Sequence, residues 1–374
     1  MEENGEVKEQ YEMDNREESW ETFRSRYSTS GNEIALEVST TGKFIARKLR
    51  DLGFLVHLAD PSKLALIFNT AKKNDREDSY KLAKLLRLGE LPEVHPPSRK
   101  SEELRSITRY RKSIGEETTM LKNRIHAILS SQGVSIDATD IFGKKGISEI
   151  EKASKILSDT DRFILSSIID RISHLSEEMR SVEDQMARMI MGNKNVERLM
   201  TIPGINVYSA AVIMSEIDDI SRFATKEKLA SYAGLVPRQN QSGNRDIRGH
   251  ITKHGPSMLR FILVNAAHLV IRYSKKMKSK YLSIVRRLGK NRAIVAIARN
   301  LLEIIYTMLK KGEDFVDNMD GLTERKIKSM QARSMNPGPV RKLEDLLDSV
   351  KKRKDGTKFK KKKMMGGTPK ELFS

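Results

Sequence analysis

Over the first hundred residues, short apolar runs alternate with polar, helix-like stretches. Side chains at residues 6–13 alternate as in an exposed strand, residues 15–27 have helical spacing, and residues 33–38 predict a second strand that carries the acidic Glu37 at its end. Residues 40–53 follow as a helix with a glycine stop at Gly53, then residues 54–59 as a short buried strand closed by Asp60 and Pro61. This strand-helix-strand succession belongs to an α/β layer. A further helix starts near Asp75 and buries Leu82, Leu85 and Leu86, after which Pro92, Pro96 and Pro97 make a linker that regular structure cannot easily cross.

From Ser98 the period becomes helical. Leu104, Ile107, Ile114, Leu121, Ile125 and Ile128 recur at three-and-four spacing, interrupted at Arg111. A cleaner seam runs through Leu165, Ile168, Ile172, Leu175, Met179, Val182, Met186 and Met189, which fits either a helical hairpin within the chain or a coiled coil between two copies. Residues 195–320 predict a compact helical region, including a strongly apolar helix over 289–312. The chain then turns polar and ends in a lysine-rich run of disordered character.

At 374 residues the chain exceeds what one core usually organises, so two or three domains are expected. The 69 Lys and Arg against 50 Asp and Glu leave a net charge of +19, a field that attracts polyanions. Residues 1–30 carry net −5 and residues 341–374 net +7, so the positive charge lies away from the start. Absence of cysteine excludes disulfides, thiolate metal sites and a cysteine nucleophile. The longest apolar stretch, residues 261–271, falls well short of a membrane span, so a soluble cytoplasmic protein is the expectation.

Three features offer chemistry. Asp75 and Asp78 lie three apart on one helix face, and Glu37 at a strand end could join them; convergent carboxylates are hard oxygen ligands suited to Mg²⁺. The plainer reading of the aspartate pair is a helix cap beside a solvated carboxylate. Ile202, Pro203, Gly204 and Ile205 form a tight turn between two helices, which can aim backbone N–H groups at phosphate as in a helix-hairpin-helix element; an ordinary helix-helix turn has the same look. Residues 232–260 are too polar for a core helix, and Ser242 and Gly243 are expected on a flexible loop, with Arg238, Arg245, Arg248, Lys253 and Arg260 nearby to bind or neutralise phosphate. Residue type alone does not choose Ser242 over Ser231 or Ser257 as a nucleophile. His250 and His254, four apart, could face together but lack the intervening Glu of the zincin pattern, so hydrogen bonding or phosphate contact is preferred to metal ligation.

Taken in order, the stretches ALEVSTTG, KNDREDSYKLAKLL, LRSITRYRKSI, KNRIHAIL, IPGI, YAGLVPRQNQSG, ITKHGPSMLR and AIVAIARNLL resemble the DEDD-type transposases of insertion sequences, the family that includes pilin-gene inversion and bridge-RNA-guided recombinases. The resemblance spans about residues 5–318. It implies an α/β N-terminal module of ribonuclease H-like resolvase fold over residues 1–97, a helical coiled-coil region over 98–193, a mostly α C-terminal transposase domain over 194–318, and a basic tail over 319–374. By position, Glu37, Asp75 and Asp78 match the second, third and fourth acidic residues of the family's Mg²⁺-binding tetrad. Ser242 matches the serine that links covalently to a cut DNA end. The strand bearing the first acidic residue has no counterpart, so the module is expected to be N-terminally truncated and to cut DNA slowly or not at all, the alternative being a DNA-binding remnant. The implied partners are DNA, a guide RNA and further copies of the chain, with the nucleoid as location.

Overall fold

The computed structural model describes residues 1–67, 74–134, 142–242, 245–317, 319–336 and 338. Backbone packing separates two units, Met1–Pro97 and Ser98–Ser374.

In the first unit, α1 (Glu17–Arg26) buries Trp20, whose indole nitrogen donates to Asn15 Oδ1 at 2.8 Å. β1 (Glu33–Glu37), α2 (Thr40–Asp51) and β2 (Leu55–Ala59) form a β-α-β unit in which the strands pair in parallel, Glu33 opposite Leu55 through Glu37 opposite Ala59. Trp20, Ala46, Leu49, Phe54, Val56 and Leu58 make one core cluster. Ala59, Leu64, Leu85 and Leu91 make a second, drawing on α3 (Pro61–Ile67) and α4 (Asp75–Arg87). The unit is thus a small parallel sheet flanked by helices.

Two expectations fail here. Residues 6–13 form no strand: almost all their side chains are exposed, so no buried face exists to hold a register. Pro61 does not merely close β2 but opens α3, where a missing N–H costs nothing at the first helical position, while Asp60 Oδ1 accepts from Ser62 N at 2.9 Å.

The second unit begins with two long helices, α5 (Arg99–Ser131, 33 residues) and α7 (Asp159–Ile190, 32 residues), with α6 (Lys144–Ser154) between them. They run antiparallel, since Arg111 pairs with Glu183, Glu117 with Arg171 and Gln132 with Asp161. Ile114, Leu121, Ile125 and Leu129 of α5 share one buried cluster with Leu165, Ile168, Ile172, Leu175 and Val182 of α7. The predicted seam from Leu165 to Val182 therefore packs within the chain as a hairpin, while Met186 joins the larger core and Met189 is exposed.

The larger core gathers α8 (Lys194–Met200), α9 (Val207–Ile217), α10 (Lys226–Tyr232), α11 (Ser257–Tyr273), α12 (Lys275–Leu288) and α13 (Lys290–Lys311). α13 is the predicted apolar helix, and Ala293, Ile297, Ala298, Leu301, Leu302 and Ile305 are fully enclosed. Within residues 232–260, β3 (Pro237–Ser242) and β4 (Arg245–Ile251) pair antiparallel, so that Ser242, expected on a loop, ends a strand opposite Arg245. A Gly-Asn pair between two strands is a hairpin signal in sequence, masked here by the strands' polarity.

Nor is the segment after residue 318 wholly a tail. α14 (Asp320–Met335) packs on α7 and α8 and buries Met330 completely. With only Leu322, Ile327 and Met330 as large apolar anchors among many charges, it reads as polar. The lysine-rich run beyond residue 338 lies outside the described residues. Among the described residues, no helix is long and apolar enough to cross a membrane.

Candidate functional site

The carboxylates of the first unit sit at the ends of two elements. Glu37 closes β1 and is exposed. Behind it the chain turns sharply into α2, with Ser39 Oγ accepting from Gly42 N at 2.8 Å. A Cβ on Gly42 would stand 2.5 Å from the Glu37 carbonyl oxygen, so only glycine permits this strand-to-helix passage. α4, packed on β1, starts behind the Asn74 cap and places Asp75, Glu77 and Asp78 in its first turn, where the helix dipole favours negative charge. Asp75 is exposed; Asp78 is half-buried, 3.6 Å from Lys81 Nζ. Their oxygen chemistry suits Mg²⁺. Yet among the described residues no three His, Asp or Glu side chains converge closely enough to hold an ion, so this arrangement of Glu37, Asp75 and Asp78 does not by itself make a metal site.

In the second unit Ser242 is the last residue of β3. The side chains of residues 239–248, including Ser242, Arg245 and Arg248, lie outside the described residues. The base of the hairpin is held by backbone hydrogen bonds. Thr252 N donates to Val236 O at 2.9 Å and Lys253 N to Gly234 O at 3.2 Å. Gly234 (φ +67°) and Gly255 (φ +87°) press against the opposing backbone: a Cβ would stand 2.1 Å from His254 O at the first and 1.9 Å from Tyr232 O at the second. Arg260 then ties the two segments, its Nη1 donating to Ala233 O (3.1 Å), His254 O (3.2 Å) and Gly255 O (3.0 Å). Burial holds its pKa below the usual arginine value. Arg260 was expected to contact phosphate; here its Nη1 serves these three carbonyls. Arg238, Lys253, His250 and His254 are exposed.

The helix turn at 202–205 is packed into the core by its side chains. Ile202, Pro203 and Ile205 are buried, and Gly204 (φ +91°) lies so close to α11 that a Cβ would stand 2.7 Å from Leu269 Cβ and 3.3 Å from Ala266 Cα. Lys326 of α14 donates to Met200 O at 2.7 Å and Ile202 O at 3.0 Å, capping the end of α8. The turn therefore faces protein on these sides, and the side chains of Ile202, Pro203 and Ile205 are core contacts; the expected phosphate contact was through backbone N–H groups.

Two groups went unnoticed in the sequence. Glu216 on α9 is buried and accepts from Arg109 at 3.1 Å, with Arg105 3.4 Å away; Arg105 also donates to Ser215 O at 2.7 Å, fastening α5 to the core. The second is a basic stretch on α12, whose sequence signal is the absence of any acidic residue between Asp246 and Glu303.

Comparison with known proteins covers both units. Residues 1–132 match the DEDD-type IS110 transposase model, and residues 196–282 match the transposase IS116/IS110/IS902 family. The chain is 27% identical over 254 residues to the transposase for insertion sequence element IS1111A of Coxiella burnetii, covering 66% of this chain and 69% of that protein. It is 24% identical over 284 residues to a probable family 20 transposase of Pseudomonas aeruginosa, covering 74% and 84% of the two chains. The pilin gene-inverting protein of Moraxella bovis is 31% identical over 160 residues, 41% of this chain and 50% of that one. In its N-terminal stretch and again across the Ser242 hairpin, the chain matches models of IS110-type transposases of insertion sequences.

Proposed function

We propose that the chain is a DNA recombinase that cleaves and transfers strands for an insertion sequence, with Ser242 as its nucleophile. The supporting observation is that one family match contains Glu37, Asp75 and Asp78 and the other contains the whole Ser242 hairpin. In this reading Ser242 Oγ attacks a phosphorus of the DNA backbone, a P–O bond to one sugar oxygen breaks, and that oxygen leaves as a hydroxyl after taking the proton. The serine phosphodiester keeps the bond energy, so an incoming sugar hydroxyl can displace the serine and reseal DNA without ATP. The interlocked base beneath β3 and β4, with Arg260, Gly234 and Gly255, gives this loop a rigid footing, which a positioned nucleophile needs. The first unit is read as part of a ribonuclease H-like module, and Glu37, Asp75 and Asp78 are the groups that would hold Mg²⁺. Among the described residues they do not converge into a cluster. A guide RNA and a second copy of the chain are proposed partners beside DNA, in the cytoplasm at the nucleoid.

A second reading, a chain that binds DNA without cutting it, is favoured by that lack of convergence. A supercoiled circle carrying the element ends separates the two. In the cutting reading the native chain forms a protease-sensitive covalent adduct, however slowly, and Ser242→Ala forms none. An adduct that persists in Ser242→Ala defeats the nucleophile assignment, and no adduct from either protein supports the non-cutting reading.

A further inference from the structure

Between Asp246 and Glu303 the sequence holds 13 Lys and Arg and no acidic residue, against a net charge of +19 for the entire chain. The centre of this run is α12. Met277, Tyr281 and Ile284 turn one side of the helix toward the core. At about 100° per residue, Lys275, Lys276, Lys280, Arg286 and Arg287 fall on an arc of about 140° that excludes those three. All five are exposed, and none is ion-paired with a described carboxylate; Lys278, Lys290 and Arg292 are exposed around them. Asp317, at the start of the helix, accepts from Ser274, the residue that caps it. Like charges crowded on one face destabilise an isolated helix. Nothing within the described protein offsets them, so the arrangement is complementary to an external polyanion.

We propose that this face of α12 is a docking surface for the sugar-phosphate backbone of duplex DNA, separate from the Ser242 hairpin. The proposal rests on DNA being the partner named above. From Lys275 to Arg287 the row extends about 18 Å along the helix axis, and B-form DNA offers one phosphate per ~1.7 Å of its own axis. A straight, rigid row of cations suits a stiff duplex. Single strands are bound by grooves that interleave cations with aromatic rings for base stacking, and the basic arc contains no aromatic residue: Tyr281 lies on the core side. The surface reads no base sequence; its role is to hold the duplex while the hairpin acts on it.

The test measures binding of the full chain to a fluorescent DNA duplex across a salt series. Replacing Lys275, Lys276, Lys280, Arg286 and Arg287 together by Gln should weaken binding at least about tenfold near 0.15 M salt and flatten the log K versus log salt slope by at least about 2 of the ~4.5 available from five contacts. The side chains are exposed, so circular dichroism and melting should match the native protein. Arg at positions 275, 276 and 280 keeps the charge and should keep the affinity. A control with Lys152, Lys155, Lys194, Lys226 and Lys228 changed to Gln removes the same charge elsewhere and should leave the slope near native. An unchanged slope in the α12 variant, or an equal loss in the control, overturns the proposal; so does duplex RNA of equal length competing more strongly than DNA. Ser242→Ala should bind with the native slope. Absence of adduct formation by the native chain would defeat the strand-transfer reading while leaving this binding result intact.

Discussion

Replacing Arg260 by Ala decides between two roles for one side chain. In the structure a single guanidinium nitrogen, Nη1, serves three backbone carbonyls at 3.0 to 3.2 Å. That nitrogen carries two hydrogens, so the three contacts amount to about two full charge-assisted bonds, each worth roughly 1.5–3 kcal/mol. Part of the group is open to water, and the carbonyls regain some solvation when it is removed. A loss of about 2–4 kcal/mol follows, which in a unit of this size lowers the melting temperature by roughly 5–12 °C. Arg260→Lys restores one donor and a charge but not the fork, and should fall between. Calorimetry gives the melting temperature, and hydrogen exchange at Thr252, Lys253 and Gly255 shows whether the base of the hairpin has loosened. The phosphate-contact role makes the opposite forecast: unchanged melting and a DNA-binding salt slope shallower by about 1. A melting temperature within about 2 °C of native, combined with that shallower slope, would refute the clasp.

Burial pushes the Lys326 ammonium down to about 8 from its ordinary 10.5. Between these values the unfolded chain holds a proton that the native chain has shed, so this group's contribution to stability rises with pH across the window. The melting temperature of the native protein minus that of Lys326→Met should increase from pH 8 to pH 10, and a pH-independent difference would count against it. Glu216→Ala leaves Arg105, with only 16% of its side chain exposed, beside an empty carboxylate position. Urea unfolding should show a loss of about 3 kcal/mol, and less than about 0.5 kcal/mol would mean the pair contributes little.

Elements with strong periodicity were legible in the sequence. The α5–α7 hairpin and α13 stand where apolar spacing put them, because their faces bury against partners in the same chain. The β-α-β core was legible through Gly53 and the run from Phe54 to Ala59. What could not be read has a common cause: burial is set by tertiary neighbours. Ile202 to Ile205 look the same whether the turn faces a phosphate or Leu269. That Arg260 Nη1 meets the carbonyls of Ala233, His254 and Gly255 is likewise invisible in the sequence. The polar strands β3 and β4 carry no apolar alternation, and their Gly-Asn connection was the signal overlooked. For the site, the positions of Glu37, Asp75, Asp78 and Ser242 came from resemblance to a family; geometry places Glu37 at a strand end and the aspartates in a helix's first turn, and supplies no metal cluster.

The docking of α14 against α7 has a consequence for how the chain is made. The face of α7 around Asp184 meets its partners only when Arg333 and Gly338 arrive. α5 and α7 can zip together as soon as Ile190 is synthesised, but Met330 comes about 140 residues later, which at roughly 5–20 residues per second is about 7–30 s of elongation. Through that interval the end of α8 lacks the Lys326 cap over Met200 and Ile202, and the α14-binding surface stands open to water. Completion of the second unit thus waits on one of its last helices, and a ribosome that stalls before residue 330 releases a chain with an unsealed core.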